Sequence, residues 1–230
     1  SILTYTQEQA GFTTSINEMV LECEMNPITH AIIKKLHKDL VVISKDGKEI
    51  IADTGVKLQQ KTHQLYSGTI KFEDGSYRVI DTSKAEFIKD KFKGYKIGIF
   101  YKFVAELEML KSVFGSELTT DLNEFNSTDK NIALQIVSGR EGISLSKANH
   151  LIFLNIDFSA VSYFQARDRL TTMDRKENTI FWIFSKGGIE EKIYRAVQNK
   201  KDYTNETFKK DFGTGNTKEN YNTTRKARLL

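Results

Sequence analysis

The stretch Ile132-Ala133-Leu134-Gln135-Ile136-Val137-Ser138-Gly139-Arg140-Glu141-Gly142-Ile143-Ser144-Leu145-Ser146 passes from a nearly continuous apolar run into a glycine-bearing turn rich in hydroxyls. Such a run, bounded by turn residues, reads as a strand buried on both faces, because a half-exposed strand would alternate apolar with polar residues. The next run of this kind, His150–Asn155, leads into residues 160–172, which read as a helix carrying Gln165-Ala166-Arg167-Asp168-Arg169-Leu170. Thr179–Phe184 is a further strand, and Ile189, Ile193 and Val197 stripe a helix after Gly187-Gly188. Upstream, residues 84–92 read as a helix and Lys96–Tyr101 as a strand, followed by a helix with Phe103, Leu107, Leu110 and Phe114 on one face. Continuous apolar strands alternating with amphipathic helices predict an α/β fold, a parallel sheet with helices on both faces. Ligands of such sheets bind outside the carboxyl ends of the strands, and both quoted segments follow such ends.

Before Asp81 the rhythm is different. Residues 16–25 alternate weakly and read as a strand, and Asn26-Pro27, with the only proline of the chain, marks a turn into a helix with Ile28, Ile32, Leu36 and Leu40 at a spacing of four. Asp46-Gly47 between Val41-Val42-Ile43 and Ile50-Ile51 signals a hairpin, and Asp74-Gly75 a second one, with a helix over 54–66 between them. The expected organisation is therefore a small helix and hairpin appendage over 1–80, a main α/β unit over 81–212, and a Lys-, Asn- and Thr-rich tail over 213–230 that is expected to be disordered.

The 230 residues, 39% of them hydrophobic and 28% charged, suit a globular protein with a substantial core. A net charge of +4 permits a nucleic-acid partner without requiring one. Cys23 is the only cysteine, so neither a disulfide framework nor a cysteine-based zinc site is expected. His30, His37, His63 and His150 are scattered, with no ligand spacing to other His, Cys or carboxylate residues, so no metal site is expected and each reads as an ordinary surface or core histidine. No apolar run approaches the roughly 18–20 residues of a membrane span and no signal peptide opens the chain, so a cytoplasmic location without a membrane partner is the expectation. Ser1 is an unusual natural start, which suggests a piece of a longer protein.

Gly142 permits a backbone path closed to other residues, so neighbouring amides could turn toward a phosphate, with Ser138, Arg140, Ser144 and Ser146 as further donors. The alternative is a strand-to-helix connection that needs a glycine for packing. Gln165 and Arg169, four apart, share one helix face. An arginine so placed can give two parallel hydrogen bonds to a phosphate. The alternative there is a solvated helix with Arg167 and Asp168 on its surface.

Taken together, these segments resemble a known family. Gly142-Ile143-Ser144-Leu145, the run Ala148–Phe153, Asp157-Phe158-Ser159 and Gln165–Arg169 follow one another as in the C-terminal RecA-like motor lobe of superfamily-two helicases, especially Swi/Snf-type translocases and their phage-borne relatives. Ile97–Phe103 is similar to that family's fourth motif, and Ser185–Ile193 to its closing K-G-T-I-E-E-K-I. The resemblance runs from about Lys84 to Asn199, and residues 1–80 look like the family's connection between lobes. It implies that Arg169 faces a nucleotide γ-phosphate, that Gln165 links nucleotide state to lobe closure, and that Gly142 and Ser144 couple ATP binding to a nucleic-acid backbone, with Ser138 and Arg140 in phosphate contact. It implies DNA and an N-terminal RecA-like lobe of the same protein as partners, in a bacterial or phage-infected cell. ATP and Mg2+ would be held mainly by that N-terminal lobe, since G-x-x-x-x-G-K-[ST] does not occur in this chain.

Two departures from the pattern matter. Ser144 stands where the family has Asn or Asp, and Thr172 stands in place of the second arginine, usually the arginine finger. Arg169 or Arg175 would then do the work of the finger, whereas Arg167 lies about 200° around the helix from Arg169. The resemblance thus implies the second motor lobe of an ATP-dependent DNA helicase or translocase. The alternative is a catalytically degenerate module that binds nucleic acid or protein.

Overall fold

The computed structural model describes residues 2–5, 16–136, 145–169 and 178–213. Their strands form a seven-stranded sheet and two separate hairpins. The sheet contains β1 (Ile2–Tyr5), β2 (Ile16–Cys23), β7 (Ile97–Tyr101), β8 (Leu118–Thr119), β9 (Asn131–Gln135), β10 (His150–Phe153) and β11 (Asn178–Ser185), in the spatial order β1-β2-β11-β10-β7-β9-β8. Edge strand β1 is antiparallel to β2, and the six strands from β2 to β8 in that order run parallel. The hairpins are β3 (Val41–Ile43) with β4 (Glu49–Ile51), and β5 (Thr69–Lys71) with β6 (Tyr77–Val79).

The apolar runs bury because the pleat sends successive residues to opposite faces and both faces are covered. Ile132, Leu134, Leu151, Phe153, Ile180, Trp182 and Phe184 point to one face. There they meet Phe125 of α5 (Leu122–Ser127), Tyr163 of α6 (Ala160–Arg169), and Ile193 and Val197 of α7 (Ile189–Gln198). Ile97, Ile99, Ala133, Ile152 and Ile183 point to the other, against Ala85 and Ile88 of α3 (Ser83–Lys91) and Met109 and Leu110 of α4 (Val104–Phe114). This is the α/β architecture expected from the sequence, a parallel sheet between helical layers.

The appendage is less separate than the sequence suggests. Its helices α1 (Pro27–Asp39) and α2 (Gly55–Tyr66) contribute Ile33, Leu36, Leu58 and Leu65 to the same core as Trp182 and Phe153. Strand β2 lies before residue 80 yet pairs with β11 along its whole length, from Asn178↔Ile16 to Ser185↔Cys23, so the sheet draws strands from both sides of that residue. The Asp81 carboxylate marks the junction. Its Oδ2 accepts from Asn26 N at 2.8 Å and Thr29 Oγ1 at 2.6 Å, and its Oδ1 from Ser83 N at 2.9 Å, which ties the start of α1 to the start of α3.

The expected helices and hairpins are present, with two additions. Helix α5 was not expected from the sequence; Asp121 caps it by accepting from Glu124 N at 2.7 Å. Residues 205–212, to which the sequence reading gave no element, form helix α8 (Asn205–Phe212). Thr204 caps it, Phe208 is buried, and the Phe208 and Phe212 rings lie 5.9 and 5.6 Å from that of His37. The polar composition hid two aromatic residues four apart that give this short helix a face to bury. Of the expected disordered tail, only Gly213 lies among the described residues.

Gly68 links α2 to β5 with φ of +84°, and a Cβ there would come within 2.2 Å of the Asp81 carbonyl oxygen. Gly68→Ala is therefore expected to destabilise the chain by about 2–4 kcal/mol, combining left-handed backbone strain with a clash against main chain. A urea midpoint lowered at constant slope is the expected outcome, and an unchanged midpoint would contradict it.

Candidate functional site

The carboxyl ends of the parallel strands carry a connected polar network. After β7 come Lys102 and Phe103, after β10 come Asn155 and Asp157, and β9 ends on Gln135. The Lys102 ammonium pairs with Asp157 Oδ2 at 2.6 Å, with both side chains partly exposed. Gln135 Nε2 donates to the Lys102 carbonyl at 3.2 Å. Fully buried Glu106, in the first turn of α4, accepts from Lys102 N at 2.7 Å and Phe103 N at 2.9 Å, half of a capping box that fixes how the chain leaves β7.

Asn155 is the hub of this network. Its Nδ2 donates to Glu106 Oε1 at 2.6 Å, while its Oδ1 accepts from Ile156 N at 2.9 Å and contacts His63 Nε2 at 2.5 Å. With Oδ1 as acceptor, His63 must carry its proton on Nε2. His63 belongs to α2 of the appendage, and its ring lies 5.2 Å from that of Phe103 and 4.7 Å from that of Phe158. The appendage thus touches the two strand-end connections that a ligand of the sheet would meet. Burial, with Lys102 nearby, holds His63 far below the ordinary imidazole range, at about 3, against the Asn155 hydrogen bond. Burial likewise pushes Glu106 upward, opposed by the amides of Phe103 and Lys102 and by Lys84. Asp157 is also partly buried, which raises its pKa, yet Lys102 and the Ser159 amide bring it below the ordinary range.

A second buried group lies between the ends of β10 and β11. Lys84 of α3 and Glu190 of α7 form an ion pair with no solvent exposure. Lys84 Nζ also donates to the Leu154 carbonyl at 3.3 Å, and Glu190 Oε2 accepts from Ser185 Oγ at 2.6 Å. Gly188 precedes α7, and a Cβ there would lie 2.1 Å from Ser185 Oγ.

Helix α6 begins seven residues after β10 ends and shows two distinct faces. Tyr163 and Arg167 are buried, at 1% and 5% exposure, whereas Val161 and Gln165 are exposed, so the outward face is the one bearing Gln165. The Arg167 guanidinium sits 4.9 Å from the Phe164 ring. This corrects the alternative in which Arg167 belongs to a solvated surface: the four-residue step from Tyr163 carries it inward. Arg169 is the last residue of α6, four beyond Gln165, and its side chain lies outside the described residues. Ser138, Arg140, Gly142, Ser144, Thr172 and Arg175 also lie outside them. The chain re-enters the description at Leu145, which is buried, with its Cδ1 3.1 Å from where a Cβ on Gly98 would stand.

Sequence reasoning gave no role to Lys102, Asn155, Glu106 or the bridging His63, and it quoted Asp157 only as part of a segment. Glu106 left a local sign, an acidic residue three beyond Phe103 at a helix start. The partners of Asn155 and His63 lie 49 to 92 positions apart and left none.

No protein-family profile matches the chain. Among curated proteins, transcription termination factor 2 of Drosophila melanogaster is 27% identical over 85 residues, 37% of this chain and 8% of that protein. Among solved structures, the C-terminal part of the Fun30 ATPase domain aligns with a TM-score of 0.50 at 18% identity, covering 77% of this chain and 87% of that one. The SWI2/SNF2 ATPase core of Sulfolobus solfataricus in complex with dsDNA aligns with a TM-score of 0.55 at 20% identity, covering 87% of this chain and 46% of that one. The same core domain in another structure gives 0.54 at 20% identity, over 80% and 42%. The chain therefore spans less than half of the Sulfolobus cores and a small fraction of the curated relative. The fold is RecA-like α/β, as in SWI2/SNF2 ATPase cores.

His63 binds a proton in the unfolded chain below about pH 6.5 but in the folded chain only near pH 3. The unfolded state therefore takes up the proton first, and stability falls as pH drops through that window, by up to about 1.4 kcal/mol per pH unit. His63→Gln keeps a donor for Asn155 and cannot titrate, so its urea midpoints between pH 7 and pH 4 should fall less steeply than those of the wild type. Equal slopes would show that His63 does not carry the acid sensitivity.

Proposed function

We propose that this chain is the second motor lobe of an ATP-driven DNA translocase or helicase of the SWI2/SNF2 kind. The observation that carries the reading is the ordered series of motif-like segments along the chain, together with a RecA-like sheet and a helix that turns Gln165 outward. A SWI2/SNF2 core solved with dsDNA supports DNA as the partner.

In this reading an N-terminal RecA-like lobe of the same protein holds most of the nucleotide and its magnesium, which supply the phosphoanhydride and its charge neutralisation. The donors offered by this chain are amide and guanidinium groups, which fit phosphate oxygens rather than a metal ion. Arg169 places positive charge where negative charge builds on the transferred phosphoryl group, with Arg175 as a second candidate. Gln165 reports whether the cleft is filled. Gly142 and Ser144, with Ser138 and Arg140, grip the phosphodiester backbone, so closing the lobes moves that grip along the DNA. The helices and hairpins between Pro27 and Val79 connect the lobes, and His63 joins them to the strand ends.

Thr172, in place of the second arginine, favours a second reading: a lobe that binds nucleic acid or protein without turnover. One experiment separates them. In the full-length protein, Arg169→Ala is expected to lower DNA-stimulated ATP hydrolysis about 10³-fold or more. Wild-type turnover in that variant would sink the assignment, and a parent protein with no DNA-stimulated hydrolysis would give the second reading the lead. DNA binding by the chain alone should weaken as salt rises, as phosphate contacts require.

A further inference from the structure

Glu18 is a carboxylate at 3% exposure on β2, on a sheet face otherwise lined by Trp182, Phe184 and Phe153. Its Oε1 accepts from Tyr163 Oη at 2.7 Å and from Trp182 Nε1 at 3.3 Å, and its Oε2 from Tyr194 Oη at 3.5 Å. Those donors come from three elements: α6, β11 and α7. Burying a carboxylate is costly, and well-packed apolar residues in its place are often as stable or more so. Fold stability alone therefore does not account for an acid at this position.

Direction does account for it. Apolar contact is non-directional and would let α6 turn about its own axis against the sheet. A short hydrogen bond from Tyr163 to a charged acceptor fixes that rotation. Tyr163 and Arg167 face inward and Val161 and Gln165 outward, so the rotation of α6 decides which way Gln165 points. We infer that Glu18 is a positioning residue that sets the rotation of α6 through Tyr163, holding the Gln165 face toward the nucleotide cleft. The inference rests on the motor reading for what that face meets, but the pose of the helix can be read separately.

The test uses full-length protein carrying Tyr163→Phe, which removes the donor and keeps the ring. Turnover and hydrogen exchange are both measured. DNA-stimulated kcat should fall about tenfold while KM for ATP stays within about twofold, because pose rather than ground-state binding is lost. Amides of residues 160–169 should exchange about tenfold faster, with those of Ile97–Tyr101 unchanged, since only α6 loosens. Glu18→Gln, which keeps a neutral acceptor, should retain more of kcat than Glu18→Ala. Wild-type exchange over 160–169 would overturn the inference whatever happens to turnover, and so would faster exchange with kcat intact. If the wild type shows no DNA-stimulated hydrolysis, the motor reading fails, and the exchange measurement alone decides: faster exchange upholds Glu18 as the clamp, and unchanged exchange overturns it.

Discussion

A parallel sheet has to be covered on both faces, because its crossover connections lay helices on each side and its strands are too apolar to meet water. That constraint organises this chain. Helices α3 and α4 cover Ile97, Ile99, Ala133 and Ile152 on one side, while α5, α6 and α7 cover Leu151, Phe153, Trp182 and Phe184 on the other. The cover on the second side extends into α1 and α2, which share that core. The appendage is therefore packed as a continuation of the sheet's own hydrophobic layer. Its contact with the strand ends through His63 follows from that packing.

Inside this apolar framework the buried polar groups act as fasteners. Asn155 joins α2, the start of α4 and its own connection to α6. Lys84 and Glu190 join α3 to α7 beneath the end of β10. Glu18 joins β2 to α6, β11 and α7. Each group would be costly to leave unsatisfied, so each fixes the relative positions of several elements that hydrophobic contact alone would hold less tightly. All three lie where helices meet the carboxyl ends or the covered face of the parallel strands. That is where small changes in pose matter most for a ligand bound outside those ends.

Much of this was legible in the residues. Unbroken apolar runs such as His150–Asn155 can only be satisfied in a sheet covered on both sides, and Asp46-Gly47 and Asp74-Gly75 specify hairpins by local backbone chemistry. Spacing put Gln165 and Arg169 on one helix face, and the structure shows that Gln165 is exposed. Local patterns did less well with short or compositionally polar segments. Helix α8 depends on Phe208 and Phe212 meeting His37, a contact made far along the chain, and Arg167 is buried although arginines are mostly exposed.

By itself, the sequence determined the alternation of strands and helices, the fold class, the turns, and the order of the segments that resemble motor-lobe motifs. These are consequences of side-chain periodicity and backbone preference, which act over a few residues. Only the tertiary structure decided that β2 lies in the sheet, that His63 reaches Asn155 across 92 positions, and that Glu18 meets Tyr163 across 145. Those pairings depend on how the faces stack in space, and a buried polar group finds its partner only after the hydrophobic layers have closed around it.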